Sequence, residues 1–298
     1  MKTQSITQAT DGQKKQIERF VSDAAAKALN EVGADKTGAQ RIIENGNEVS
    51  QKVYEFTLSL FKDLSTSDKY KDEEVDSSYG YLSGYKPKGV TEQTNRLREL
   101  FPGIGYANEK IAEGQLPQHA EGWFAIPKWQ SVAPTYHEAV LKVLELIKND
   151  RNGKFYNYRE GQIDDKRLHE TVKKKATFTE LAKAQEDFDI LVVPAQFGIR
   201  HRGRSVRRAR EVFTSNEYGL GAFEIGIMIL THPERLQHYD DLWIDCAGDE
   251  YDDPDCDDRF DRAPYFEFYL GRVKFGTIRV DYANGYFGSA SAFVPQES

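Results

Sequence analysis

Apolar residues in the first 64 positions recur at the spacing of an α-helix. They predict one helix after Asp11 that ends at Gly33, and a second helix over residues 37–64. The first apolar stripe consists of Ile17, Phe20, Val21, Ala24, Ala28 and Val32, and the second of Ile42, Val49, Val53, Phe56, Leu60 and Leu64. Two helices joined by a short turn favour a helical unit over residues 1–64 that serves packing or dimerisation.

The pattern changes over residues 65–90. This stretch begins polar and acidic and continues with alternating Gly and Tyr between positions 79 and 89. Because Gly and Pro at this density interrupt helices and strands, it is interpreted as a linker or surface loop. A main domain is then expected over residues 91–298, beginning with a short helix at 91–101.

Helical and strand patterns alternate through the main domain. Strands are predicted at residues 122–129, 188–194 and 242–245, and helices at 134–148, 164–186, from 205, and at 220–232. The last third contains three runs, at 265–270, 272–280 and 286–294, with turn residues Gly271 and Asn284-Gly285 between them. The predicted fold class is α+β, with a helical N-terminal unit and a mixed domain that ends in an antiparallel sheet.

Composition narrows the class of protein. Of the 298 residues, 39% are apolar and 30% charged, which is typical of a globular protein. No run approaches the roughly 18 apolar residues that span a bilayer, and no signal-peptide core is visible, so a cytoplasmic location is expected. Cys246 and Cys256 are expected as free thiols without a zinc site.

Several segments together resemble a known family. They lie at residues 78–89, 151–160, 190–198 and 242–251, the last reading Leu-Trp-Ile-Asp-Cys-Ala-Gly-Asp-Glu-Tyr. The chain is similar over roughly residues 36–296 to a family of uncharacterised bacterial proteins often found in genomes of candidate phyla. The resemblance implies a bacterial cytosolic protein and carries no activity, cofactor or partner.

The densest charged feature is the arginine segment, residues 198–210. It contains one histidine and six arginines, namely His201, Arg200, Arg202, Arg204, Arg207, Arg208 and Arg210. It lies between a predicted buried strand and a predicted helix start, where ligand sites are common. The Arg side chain suits phosphate because it donates two parallel hydrogen bonds. The leading hypothesis is therefore binding of a polyanion, above all nucleic acid. The formal net charge of −8 argues against a protein that binds DNA with its whole surface, and leaves room for a local basic site.

The Gly-Tyr stretch extends this hypothesis to unpaired bases. Aromatic rings can stack on bases while lysines hold the backbone, which adds five candidate residues: Tyr79, Tyr81, Tyr85, Lys86 and Lys88. An alternative is that the arginines pair internally with residues 245–261, where eight Asp and one Glu are opposed by Arg259 alone.

Two further alternatives belong to other classes. Asp245, Asp249 and Glu250 lie at and beyond a predicted strand end and favour Mg²⁺ or Mn²⁺ in a metal-dependent hydrolase or nuclease; otherwise no cofactor is expected. The third is a structural or regulatory protein that forms homo-oligomers through its N-terminal helices. No membrane partner is expected.

Overall fold

The computed structural model describes residues 10–64, 68–256 and 258–295. Contacts divide the chain into two compact units, at residues 1–65 and 66–298, and each is described by itself. Within the described ranges, every helix is too short or too polar to cross a lipid bilayer.

The first unit is helical. It contains α1 (Asp11–Val32), α2 (Lys36–Glu44) and α3 (Gly46–Leu64). Thr10 caps the start of α1 through its side-chain oxygen, and Gly33 ends α1 with a φ of 60°. The predicted second helix is divided, because the Asn45 amide side chain donates to the Arg41 carbonyl at 2.8 Å and the poor helix former Gly46 follows. No residue of α1 or α2 is buried within this unit.

The second unit combines helices and strands in mixed order. Its helices are α4 (Val90–Leu100), α5 (Tyr136–Asp150), α6 (Val172–Ala184), α7 (Val206–Glu211) and α8 (Ala222–Thr231). Its strands are β1 (Gly122–Pro127), β2 (Phe155–Asn157), β3 (Leu168–Glu170), β4 (Ile190–Gln196), β5 (Glu217–Gly219), β6 (Trp243–Asp245), β7 (Asp249–Tyr251), β8 (Arg262–Tyr269), β9 (Arg272–Arg279), β10 (Phe287–Ser289) and β11 (Ser291–Phe293).

The strands form two sheets. The four-stranded sheet has the order β1-β4-β11-β5, and all of its pairs are antiparallel. The seven-stranded sheet has the order β10-β6-β8-β7-β3, with β9 pairing β8 on one side and β2 on the other. All ten residues of α8 are buried, and Gly226 lets α5 approach closely at Val143. The prediction of an α+β fold is confirmed.

Two local predictions are wrong. Residues 164–186 are not one helix: β3 pairs antiparallel with β7 and precedes Thr171, whose side chain caps α6. The three last runs do not form one sheet either. While β8 and β9 are a hairpin, the third run divides at Ala290 between β10, which pairs in parallel with β6, and β11, which belongs to the four-stranded sheet.

Candidate functional site

The arginine segment runs from the end of β4 through a short turn into α7. The Ser205 side chain accepts from the Arg208 amide at 3.1 Å and caps α7, which begins where the sequence predicts a helix. Gly203 has a φ of 78°, and a side chain there would collide with the Val75 carbonyl. The segment is therefore packed tightly against residues 73–77 and is not an open loop.

Glu217 neutralises the first part of the segment. This carboxylate is fully buried and accepts from Arg200 Nε at 3.2 Å, from Ser291 Oγ at 2.6 Å, and contacts His201 Nε2 at 2.7 Å. Burial alone would raise the pKa of Glu217, but the contacts with His201, Ser291 and Arg200 outweigh it and lower the pKa to about 2. Burial lowers the pKa of His201, so Arg200 is the permanent cation of this group.

Two carboxylates from the predicted linker neutralise the middle of the segment. Glu73 forms an ion pair with Arg207 and accepts from Ser205 Oγ at 2.6 Å. Glu74 pairs with Arg208, and its other oxygen lies 3.3 Å from Arg204 Nε. Residues 68–89 are thus part of the second unit, and their acidic part supplies counterions to the arginines.

Arg210 connects the segment to residues 245–261. Its guanidinium donates to the Ala247 carbonyl at 2.9 Å and to the Asp249 carbonyl at 2.7 Å, and it lies 3.6 Å from Glu250 Oε1. The expected pairing between the arginine segment and the acidic segment is thus observed at Arg210, whereas the other arginines described above use Glu73, Glu74 or Glu217. Arg202 differs from them, since it is exposed and donates to the Tyr79 carbonyl at 2.9 Å.

The tyrosines of the Gly-Tyr stretch separate. Tyr81 donates to Glu121 Oε1 at 2.6 Å, and the Tyr85 ring lies 5.2 Å from the ring of Phe197 in the core. These two rings would have to leave the core to stack on a base. Tyr79 alone of the three lies beside Arg202. Lys86 is exposed, while Lys88 donates to the Thr231 carbonyl at 2.9 Å.

The three carboxylates expected to bind a metal point to different neighbours. Asp249 accepts from Lys174 at 3.0 Å, while Glu250 faces Arg210. Asp245 is buried, its Oδ1 has no hydrogen-bond partner, and burial raises its pKa to about 8. Across residues 10–64, 68–256 and 258–295, no group of three potential ligands is arranged to hold a metal ion.

The seven-stranded sheet has an apolar inner face and a second, outer face. Phe266 pairs with Phe275 across β8 and β9, and both are buried in the core. Because successive side chains alternate, the neighbouring pairs Tyr265 with Gly276 and Glu267 with Lys274 lie on the outer face. The registers of β6 and β2 add further aromatic residues, Trp243 and Tyr156, to this outer face.

Aromatic rings form a row on this outer face and its edges, in which Lys274 lies between Tyr158 and Tyr269. We call it the aromatic face; it consists of Tyr79, Tyr156, Tyr158, Tyr239, Trp243, Tyr265, Tyr269, Tyr282 and Tyr286. Ring centroids are 6.1 Å apart for Tyr79 and Tyr286, and 4.4 Å apart for Tyr286 and Trp243. Trp243 is stacked on Tyr265 at 6.2 Å with an interplanar angle of 9°. Every ring in the row is half-buried or exposed, so each retains surface for a ligand.

Cationic groups lie within and beside the aromatic face. Lys274 Nζ is 4.3 Å from the ring centroid of Tyr269 and donates to the Tyr158 hydroxyl at 3.0 Å. Arg272 pairs with Tyr269 in the register and is exposed. At the opposite edge, Arg202 contacts Tyr79. The face therefore combines stacking surfaces with cations at both ends.

The sequence contained a signal for this face that the interpretation missed. Tyr265 and Tyr269, like Tyr156 and Tyr158, are separated by an even number of positions and are partly exposed, as expected for one face of a strand. Only the strand order brings these separate runs together.

No family model, curated protein or solved structure matched the chain.

Proposed function

We propose that the protein binds single-stranded nucleic acid on the aromatic face. The observation that carries the proposal is the row of partly exposed rings on one sheet face, with Arg202 beside Tyr79 and Arg272 opposite Tyr269. Bases stack on aromatic rings whatever their sequence, and each stacked base contributes about 1–3 kcal/mol. A duplex hides the faces of its bases, so single strands are the expected ligand.

The exposed cations of the face would contact phosphates. Arg202 and Arg272 are exposed beside the rings, at positions to follow a backbone whose bases stack on them. Lys274 is 6% exposed and lies opposite Glu267 in the strand register, so it supports the rings and does not contact the backbone. The remaining arginines of the arginine segment contribute little to binding, because carboxylates of the same chain already neutralise them. With a net charge of −8 and few phosphate contacts, we expect moderate affinity that weakens with salt.

The test is fluorescence anisotropy with labelled single- and double-stranded RNA and DNA across a salt series. Tyr158→Ala should weaken binding of single strands, because this ring is 48% exposed and contacts Lys274. The matched control is Tyr106→Ala, which removes a 60% exposed tyrosine outside the aromatic face. Equal binding of duplex and single strand, or equal losses in the two variants, would contradict the proposal.

We also propose that the helical unit associates with a second copy of itself. Phe20 and Phe56 are 61% and 71% exposed, and they line an apolar groove of about 810 Å³ between α1 and α3. Ala24, Ala25 and Ala28 line the same groove, so the large side chains of one copy fit against the small side chains of the other.

Charge supports a homotypic contact. Residues 1–65 contain nine Lys or Arg and nine Asp or Glu, so the net charge of −8 belongs to residues 66–298. Two helical units therefore meet without net repulsion. Light scattering after size exclusion should give a dimer mass at low and high salt, and Phe56→Glu should give a monomer. A monomeric wild type would refute this association.

The cellular setting is part of the proposal. We infer a bacterial cytoplasmic protein, which rests on the family resemblance. Cys246 and Cys256 are free thiols in the structure, as a reducing compartment would keep them.

A further inference from the structure

Lys174 is a fully buried ammonium group surrounded by acidic side chains. Its Nζ lies 2.8 Å from Glu224 Oε2, 3.0 Å from Asp249 Oδ1 and 3.4 Å from Glu170 Oε1. The Tyr136 hydroxyl is 2.6 Å from the same nitrogen. Lysine is almost never fully buried unless it is paired, so the chain has built this cluster with several specific contacts.

Backbone amides hold the carboxylates in place. At the start of α8, the Gly221 amide donates to Glu224 at 2.9 Å and the Ala222 amide donates to Asp249 at 2.7 Å. Even so, three carboxylates face one ammonium group. The cluster therefore carries one uncompensated negative charge when Glu224 is protonated and two when it is ionised, and buried negative charge favours an additional cation.

A cleft of about 350 Å³ reaches two of these carboxylates. Glu170 and Glu224 line it, together with the rings of Trp129 and Phe178. Three lysines line the cleft. Lys128 donates to backbone carbonyls, Lys183 pairs with Glu180 at 2.7 Å, and Lys175 is exposed. Glu186 adds a third carboxylate to the lining. The carboxylates and the two aromatic rings are the groups in the cleft that suit a cation, because an ammonium group is attracted to both.

We propose that this cleft binds a small organic ammonium compound with an apolar body. The ammonium group is received by Glu170 and Glu224, and the apolar body packs against Trp129 and Phe178. Lys174 occupies the centre of the three carboxylates, where a metal ion would otherwise lie. The site is separate from the aromatic face, and neither proposal depends on the other.

Binding at this site releases a proton. Burial raises the pKa of Glu224 to about 7, with Lys174 opposing and Asp249 and Glu170 adding to the rise. A bound cation stabilises the ionised form, so binding near neutral pH should release protons. Several titratable groups interact with Glu224: Tyr136, Glu170, Lys174, Tyr218, Cys246 and Asp249.

The experiment compares benzylamine with benzyl alcohol, its neutral isostere, by calorimetry and thermal melting of the full chain. Benzylamine should bind and raise the Tm, with proton release detected from the dependence of the heat on buffer ionisation enthalpy. Glu224→Gln should weaken binding tenfold or more and abolish proton release. Trp129→Ala removes one ring of the cleft wall and leaves the carboxylates in place, so it should weaken binding severalfold.

Glu145→Gln is the matched control, because Glu145 is an exposed carboxylate on α5 that pairs with Lys148 and lies outside the cleft lining. This variant should bind benzylamine as the wild type does. The proposal is overturned if benzyl alcohol binds as well as benzylamine, or if neither compound binds at concentrations on the order of 10 mM. It is also overturned if Trp129→Ala and Glu145→Gln bind benzylamine equally.

Discussion

The arginine segment and the aromatic face lie side by side and differ in what the fold has done with their side chains. In the arginine segment, Glu73, Glu74 and Glu217 approach the guanidinium groups closely, and Arg202 is the exception that stays exposed. On the aromatic face, residues far apart in sequence meet and remain partly uncovered. Density of one residue type along the sequence therefore says little about what is free to bind a ligand.

The difference follows from electrostatics. Six like charges within eleven residues repel one another, so a stable fold must bring counterions to them. Aromatic rings carry no such penalty, and a sheet can leave them facing solvent at modest cost. Side chains of the same protein thus readily neutralise a charged segment. The aromatic face is therefore the better candidate for a ligand site.

The largest expected effect concerns the internal counterions. Glu217→Gln should lower the free energy of unfolding by about 3–5 kcal/mol, because it leaves Arg200 without its buried partner. Chemical denaturation measures this, with Glu180→Gln as a control that should change stability by less than about 0.5 kcal/mol. If the two variants are equally stable, the arginine segment is not held by internal pairing.

The pH dependence of stability tests the boundary between the arginine segment and the aromatic face. Asp245 lies there, opposite Tyr265 in the register of β6 and β8. Burial raises the pKa of Asp245 to about 8, so the folded state favours the protonated carboxyl. This contribution to stability is fully present below the pKa of the unfolded state and is lost as the pH rises to about 8. Wild-type stability should therefore fall up to about 1.4 kcal/mol per pH unit more steeply than that of Asp245→Asn between pH 5 and 7. Parallel pH profiles would mean that this carboxyl is solvated.

The aromatic face makes the next prediction. Tyr158→Ala or Tyr269→Ala should each weaken binding of single-stranded RNA or DNA by about 1–3 kcal/mol, the value of one stacked base. Anisotropy titrations at low salt measure this, and circular dichroism checks the fold of each variant. If both variants bind as tightly as the wild type, the comparison with the arginine segment loses its functional meaning.

The smallest effect separates Arg202 from its neighbours. Arg202→Ala should reduce the slope of log affinity against log salt by about 0.7–0.9, as expected for one lost phosphate contact. Arg207→Ala should leave the slope unchanged, because Glu73 already neutralises that side chain. A flatter slope in Arg207→Ala would instead show that a ligand displaces Glu73.

Local patterns predicted much of the fold. The buried strand β4, the helix start at Ser205 and the β8–β9 hairpin all depend on residues near one another in sequence, so periodicity and turn residues indicate them. The placement of Glu73 and Glu217 against the arginines depends on contacts between distant segments. The same holds for the aromatic face and for the cluster around Lys174, since strand order and register decide which residues meet.

The division of the last strand run at Ala290 has a consequence for biosynthesis. Residues 287–289 complete one sheet and residues 291–293 enter the middle of the other, between β4 and β5. These residues leave the ribosome after every other described strand, so both sheets stay open until they arrive. We therefore expect the nascent second unit to expose strand edges during synthesis, a period in which a chaperone would reduce aggregation.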